Sequence, residues 1–95
     1  MITYGRAPTA SASRYVQQLV KHWGHKFATS FADGRGEVPF SAETHAVFEA
    51  HDDGIAITLV TADLESAERM QQVIADHLDR FAFREGGLAF EWSAA

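Results

Sequence analysis

The sequence predicts an α+β domain, with two amphipathic helices packed on one face of a curled, mainly antiparallel sheet. Three observations predict it. Two segments carry apolar residues at helical spacing, several short segments alternate apolar and polar residues, and Asp- and Gly-containing turns join the short segments as neighbours.

The elements follow in order. Residues 2–7 read as an opening strand. Residues 10–23 read as a helix entered through Pro8-Thr9, where the Thr9 hydroxyl is placed to cap free amides. Its stripe is Ala12, Tyr15, Val16, Leu19, Val20 and Trp23, and Gly24 sits where a left-handed residue is expected to close it. Residues 27–32 alternate Phe27, Thr29 and Phe31 with small residues and end in the turn Asp33-Gly34-Arg35-Gly36. Val38 and Phe40 continue as a short strand, with Pro39 marking an edge or bulge. Residues 44–51 and 55–61 flank Asp52-Asp53-Gly54, a hairpin signal. A second helix spans residues 64–81 behind an Asp63 N-cap. Its stripe is Ala67, Met70, Val73, Ile74, Leu78 and Phe81, and Gly86-Gly87 turns the chain after it. Leu88, Phe90 and Trp92 alternate in a last strand. The order is β-α-β-β-β-β-α-β, in one domain over residues 1–95.

Size and composition narrow the function classes. A chain of 95 residues buries roughly 60–65% of the surface its unfolded form exposes, which is enough for one core. With no Cys, thiolate metal sites and thiol catalysis are excluded, and the chain is expected to work in a reducing cytoplasm. The net charge of −5 argues against nucleic acid as a partner. No signal peptide is read at the start, and no apolar run approaches the ~20 residues that span a bilayer. Phosphate-binding glycine loops, the Gly-x-Ser-x-Gly elbow and His-Glu-x-x-His are all missing, so nothing favours catalysis.

Two segments that close the helices stand out. Lys21-His22-Trp23-Gly24-His25-Lys26 and His77-Leu78-Asp79-Arg80-Phe81-Ala82-Phe83-Arg84-Glu85 hold three of the five histidines and four of the eight basic residues. Opposition to the helix dipole, worth about 0.3–1 kcal/mol per exposed charge, accounts for Lys21, His22, Lys26, Arg80 and Arg84 without a ligand. Glu85 can simply pair with Arg84 beside it. His77 differs, because it falls within the apolar stripe of its helix. It is either a core histidine satisfied by a neighbouring acceptor or a ring held at a cleft.

If the helices run the same way along the sheet, their C-terminal ends coincide. His22, Trp23, His25, Lys26, His77, Arg80 and Arg84 then share one rim, with Trp23 and Phe83 as stacking surface. That set suits a small anionic planar ligand such as a carboxylate or catecholate. Alternatively, His22, His25 and His77 ligate a transition metal or a haem iron. A weaker set, His45, Glu49 and His51, reads as a solvated strand face, since same-face residues recede by roughly 6.8 Å per step.

Arg14-Tyr15, Leu19, the segment from Lys21 to Lys26, the segment from Asp76 to Glu85 and Phe90-Glu91-Trp92 together resemble the bacterial family called domain of unknown function 2218. The resemblance runs nearly the whole chain and is loosest over residues 33–53. It implies an accessory domain without an established activity, found alone or joined to flavin-binding, siderophore-interacting proteins of the ferric-reductase type. It carries over no catalytic residue and identifies no cofactor. The expectation is therefore a domain binding a small anionic ligand or a metal complex such as a ferric siderophore. The rival expectation is a homodimerisation or interaction module that assists a flavin reductase, with structural histidines. An enzyme using His77 as general acid or base ranks third.

Overall fold

The computed structural model describes residues 1–95. Strand β1 (Ile2–Pro8) leads into helix α1 (Ala12–Trp23), followed by strands β2 (Ser30–Ala32), β3 (Arg35–Pro39), β4 (His45–His51) and β5 (Gly54–Val60). Helix α2 (Leu64–Phe81), a 3₁₀ turn (Phe83–Glu85) and strand β6 (Glu91–Ala94) complete the chain. The sheet has the order β2-β3-β4-β5-β1-β6, with every pair antiparallel. The hairpin strands follow each other as expected, whereas β1 inserts between β5 and β6.

Both helices cover one face. Every residue of the α1 stripe is buried, from Ala12 to Trp23. They pack on Val38, Phe48, Ile55, Ile57 and Leu59 beneath, and Ile74 and Leu78 of α2 close the core. α1 lies close to β3 because Gly36 faces it; a Cβ there would stand 2.6 Å from the Val20 side chain. Phe27, Phe31, Phe40, Leu88, Phe90 and Trp92 rim the core as half-buried residues rather than filling it.

Four local expectations are corrected. α1 begins at Ala12, two residues late, because the Thr9 hydroxyl does not cap it: it accepts the Ser11 amide at 3.1 Å and donates to the Glu85 carboxylate. Gly24 stays right-handed (φ −62°). The carbonyls at that helix end are satisfied otherwise, since Trp23 O accepts from both the Lys26 and Phe27 amides and Val20 O accepts from the Gly24 amide and the Thr29 hydroxyl. The first hairpin turns on Asp33-Gly34 alone, both with positive φ, so Arg35 and Gly36 belong to β3. The last strand starts only at Glu91, because the Leu88 amide turns aside to Asp79 Oδ1 at 2.9 Å. By contrast α2 spans the expected residues, with the Asp63 carboxylate accepting the Ser66 amide at 2.8 Å.

A fifth correction matters most for the site. The helices do not run the same way. α1 follows β1 and α2 follows β5, and those strands pair antiparallel. The helices therefore set out from opposite ends of the sheet. The end of α1 lies beside the middle of α2, where His22 meets His77, and Tyr15 near the start of α1 meets Glu85 beyond α2.

A candidate ligand cleft between the helices

The antiparallel run brings the His22 segment together with His77 and Phe81, whose ring meets His22 edge-on at 6.4 Å, and sends Arg80, Phe83 and Arg84 away. The His22 and His77 rings lie 5.1 Å apart, tilted by 53°, and Trp23 stands 4.9 Å from His77 and 6.4 Å from His22, so the three rings form one cluster. His77 is half-buried and His22 is exposed at the rim. His77 Nδ1 lies 2.8 Å from the carbonyl of Val73, one turn back on α2. A carbonyl only accepts, so that nitrogen carries the proton. In the neutral ring the lone pair is then on Nε2, at the opposite edge.

These rings form one wall of a cleft of about 610 Å³. Trp23, Phe27 and Phe40 supply its aromatic lining, Met70 and Val73 continue the α2 wall that His77 begins, and His25 and Lys26 stand exposed at its edge. Phe40 meets Trp23 edge-on at 4.8 Å, and Phe27 meets Phe40 edge-on at 5.2 Å, so the aromatic surface is braced. Lys26 Nζ lies 5.9 Å over the Phe27 ring. No carboxylate lines the cleft. In a chain of net charge −5, this is a local departure towards positive charge. No group of three or more His, Cys, Asp or Glu side chains has metal-holding geometry, so His22 and His77 stand as a pair.

Phe83 and Arg84 lie elsewhere, in a separate depression with Arg14, Tyr15, Gln18 and Glu85 at the start of α1. The Arg84 guanidinium lies 5.7 Å over the Phe83 ring. It does not pair with Glu85, whose carboxylate accepts from the Thr9 hydroxyl (3.1 and 3.0 Å) and from the Tyr15 hydroxyl. Foremost among the causes, this hydrogen bond holds the Tyr15 pKa above its usual value. Arg80 is exposed on α2 and lines neither cavity. A larger, shallower groove of about 700 Å³ runs along the outer flank of α1 past Arg14, Gln17, Gln18 and Lys21. It offers no imidazole and one aromatic ring, Phe31, so the cleft is the better candidate. His45, Glu49 and His51 are exposed on the uncovered face of the sheet, as expected.

Sequence reasoning missed Phe27, Phe40, Met70 and Val73 as cleft residues, because their spacing marks them as core. The one available signal was Pro39, which ends β3 and frees Phe40 to fold back over Trp23.

A two-layer α+β domain with an imidazole-walled cleft between its helices is the class this fold and site define. Residues 4–93 match the model of the family described as "Uncharacterized protein conserved in bacteria (DUF2218)", and the chain belongs to that family. It is similar to PA4090 from Pseudomonas aeruginosa, solved by NMR, with 37% identity over 99% of this chain and 96% of that one, and a TM-score of 0.82. No curated protein matches. No helix is long and apolar enough to cross a membrane.

Proposed function

We propose that this protein is a small accessory domain that binds a planar anionic ligand in the cleft between α1 and α2. The observation that carries the reading is the contact of His22 with His77 beside Trp23, with His77 oriented by the Val73 carbonyl. A flat aromatic ligand bearing a carboxylate or paired hydroxyls gains stacking area on Trp23 and Phe27, charge from Lys26 and a hydrogen bond from the His22 imidazole, while the Nε2 lone pair of neutral His77 accepts from a ligand hydroxyl. A ring whose second nitrogen bonds a backbone carbonyl is also set up as metal donors commonly are. Two imidazoles alone make a poor cage for a bare ion but can complete a complex that brings its own ligands. A ferric siderophore of catecholate type has that chemistry, in keeping with the iron context and flavin-reductase partner that family resemblance implies. His25 at the mouth adds a third contact, while Arg80, Phe83 and Arg84 contribute to the surface a larger ligand or partner meets.

The test is titration of the purified protein, followed by tryptophan emission, with 2,3-dihydroxybenzoate, its ferric complex, hemin and divalent metals. Saturable quenching that weakens roughly tenfold or more in His22→Ala and His77→Ala supports the reading. Absence of binding tighter than about millimolar, or binding indifferent to both substitutions, overturns it.

A further inference from the structure

The face of the sheet away from the helices is covered by nothing in this chain, and its residues fall into rows fixed by strand register. One row reads Arg35, Glu49, Ala56, Arg6, Glu91 across β3, β4, β5, β1 and β6. The next reads Glu37, Val47, Thr58, Tyr4, Ser93, and a third carries His45, Val60 and Ile2. Ile2 and Tyr4 are 42% and 46% exposed, among the few large apolar side chains left to solvent. The centre of the face, Ala56, Thr58, Tyr4 and Val47, is small or apolar, and the charges lie in the first row, with Glu37 alone at the β3 edge of the second.

We propose that this face binds a second copy of the same chain about a two-fold axis lying along β5. The charge pattern carries the inference. Read from β3 across to β6, the first row is +, −, neutral, +, −, with β5 at its centre. A two-fold axis along β5 exchanges its two halves, setting Arg35 opposite Glu91 of the second copy and Glu49 opposite Arg6. Every charge in the row meets its opposite, and Ala56, Thr58 and Val60 meet themselves on the axis without a charge among them. Tyr4 then covers Val47 of the second copy. An axis across the strands instead sets Arg6 against Ile2 and Glu49 against His45. Only one orientation is self-complementary, as an isologous dimer requires. Aligned packing of two such sheets is an ordinary arrangement.

Arg6 also bonds Asp53 at 2.9 Å, but both side chains are more than half exposed, so the guanidinium keeps donors for a second carboxylate. The patch spans five strands at ~4.8 Å and three rows at ~6.8 Å, roughly 20 by 20 Å. That footprint, about 400 Å², is roughly half the ~800 Å² per partner of a standard interface, so the dimer is a weak one that exchanges with monomer. The His22–His77 cleft lies on the helix side and stays open in both copies. Dimerisation and ligand binding therefore stand or fall separately.

Sedimentation equilibrium of the whole chain from about 1 μM to about 1 mM tests the proposal, with thermal melts as a control for folding. Monomer giving way to dimer is expected, weakening with salt. Arg6→Glu and Glu49→Arg should each weaken the dimer at least about tenfold, because two like-charge contacts replace two ion pairs. The double reversal Arg6→Glu/Glu49→Arg should restore it. A chain monomeric throughout, a dimer that both single reversals leave unchanged, or a double reversal no better than either single one, in proteins that melt normally, overturns the proposal.

Discussion

Gly5 sits at the middle of β1, paired with Ile57 on one side and Trp92 on the other. The Trp92 ring lies over it on the helix side of the sheet. A Cβ at Gly5 would stand 2.5, 2.7 and 2.9 Å from Cζ3, Cε3 and Cη2 of that ring. Carbon atoms in contact sit about 3.5–4.0 Å apart, so the indole must withdraw by roughly 1 Å or more. It has little room, since it stacks on Phe90 at a 9° interplanar angle and both rings cover the core edge. Overpacking of this kind costs about 1–3 kcal/mol. The φ of Gly5 is not positive, so alanine adds no backbone strain and recovers about 0.4–1 kcal/mol by restricting the unfolded chain. Gly5→Ala should therefore destabilise the fold by about 1–2 kcal/mol. At about 4–8 °C of Tm per kcal/mol, that is a loss of roughly 5–15 °C, read by circular dichroism. Tryptophan emission should shift to the red as the Trp92 ring meets water. The decisive measurement is the same substitution in a Trp92→Ala background. With the ring gone, Gly5→Ala should become neutral or stabilising, a reversal of sign that a double-mutant cycle isolates. Equal destabilisation in both backgrounds refutes the account, as does a Gly5→Ala protein that melts with the parent.

Two predictions follow from titrating groups. The Tyr15 pKa is raised above 10.0 by its hydrogen bond to Glu85, then by burial and by the carboxylate's charge, so it stabilises the fold below the unfolded value and that contribution is lost as pH rises through the folded one. Tyrosinate absorbance should contain a step above pH 10.0 that Tyr15→Phe abolishes; a titration complete at the ordinary value refutes this. The Asp63 pKa is lowered below 3.8, chiefly by the Ser66 amide, so its contribution is present above the unfolded value and lost as pH falls through the folded one. Asp63→Ala should lower Tm near neutral pH and have little effect in strong acid, and an equal loss at both would count against the cap.

What could be read from the sequence was what neighbours in the chain decide. α2 has the expected ends because Asp63 and the glycines Gly86 and Gly87 act on their own turns. The β4–β5 hairpin forms because Asp52 and Asp53 lie between strands of matching alternation. The start of α1 is not legible for the opposite reason: Thr9 looks like its cap, but the hydroxyl takes the Ser11 amide just ahead of the helix and donates to Glu85, 76 residues away. β6 begins late because Asp79 takes the Leu88 amide. No local pattern announces either bond. The place of β1 inside the sheet is likewise a long-range pairing, and it alone decides the direction of the helices.

That direction explains why the candidate site was half legible. The two basic, histidine-bearing segments look like one site because residue types can be counted along a chain and directions cannot. With helices set out from opposite ends of the sheet, only positions whose helical phase and height agree can meet. His77 satisfies both towards His22 and Trp23. Arg80, three residues on, is turned to solvent, and Phe83 and Arg84 lie past the end of α2, one cavity away. There Glu85 joins the end of α2 to Thr9 and Tyr15 at the start of α1. Because the two helices touch the sheet and each other along one antiparallel seam, that junction and the His22–His77 contact are its two ends. Fixing the first sets the height of α2 against α1, and so which α2 side chain stands opposite His22. The Thr9–Tyr15–Glu85 hydrogen bonds, which look remote from the cleft, thus join the buried contacts of Leu19, Ile74 and Leu78 in setting the register in which His77 meets it.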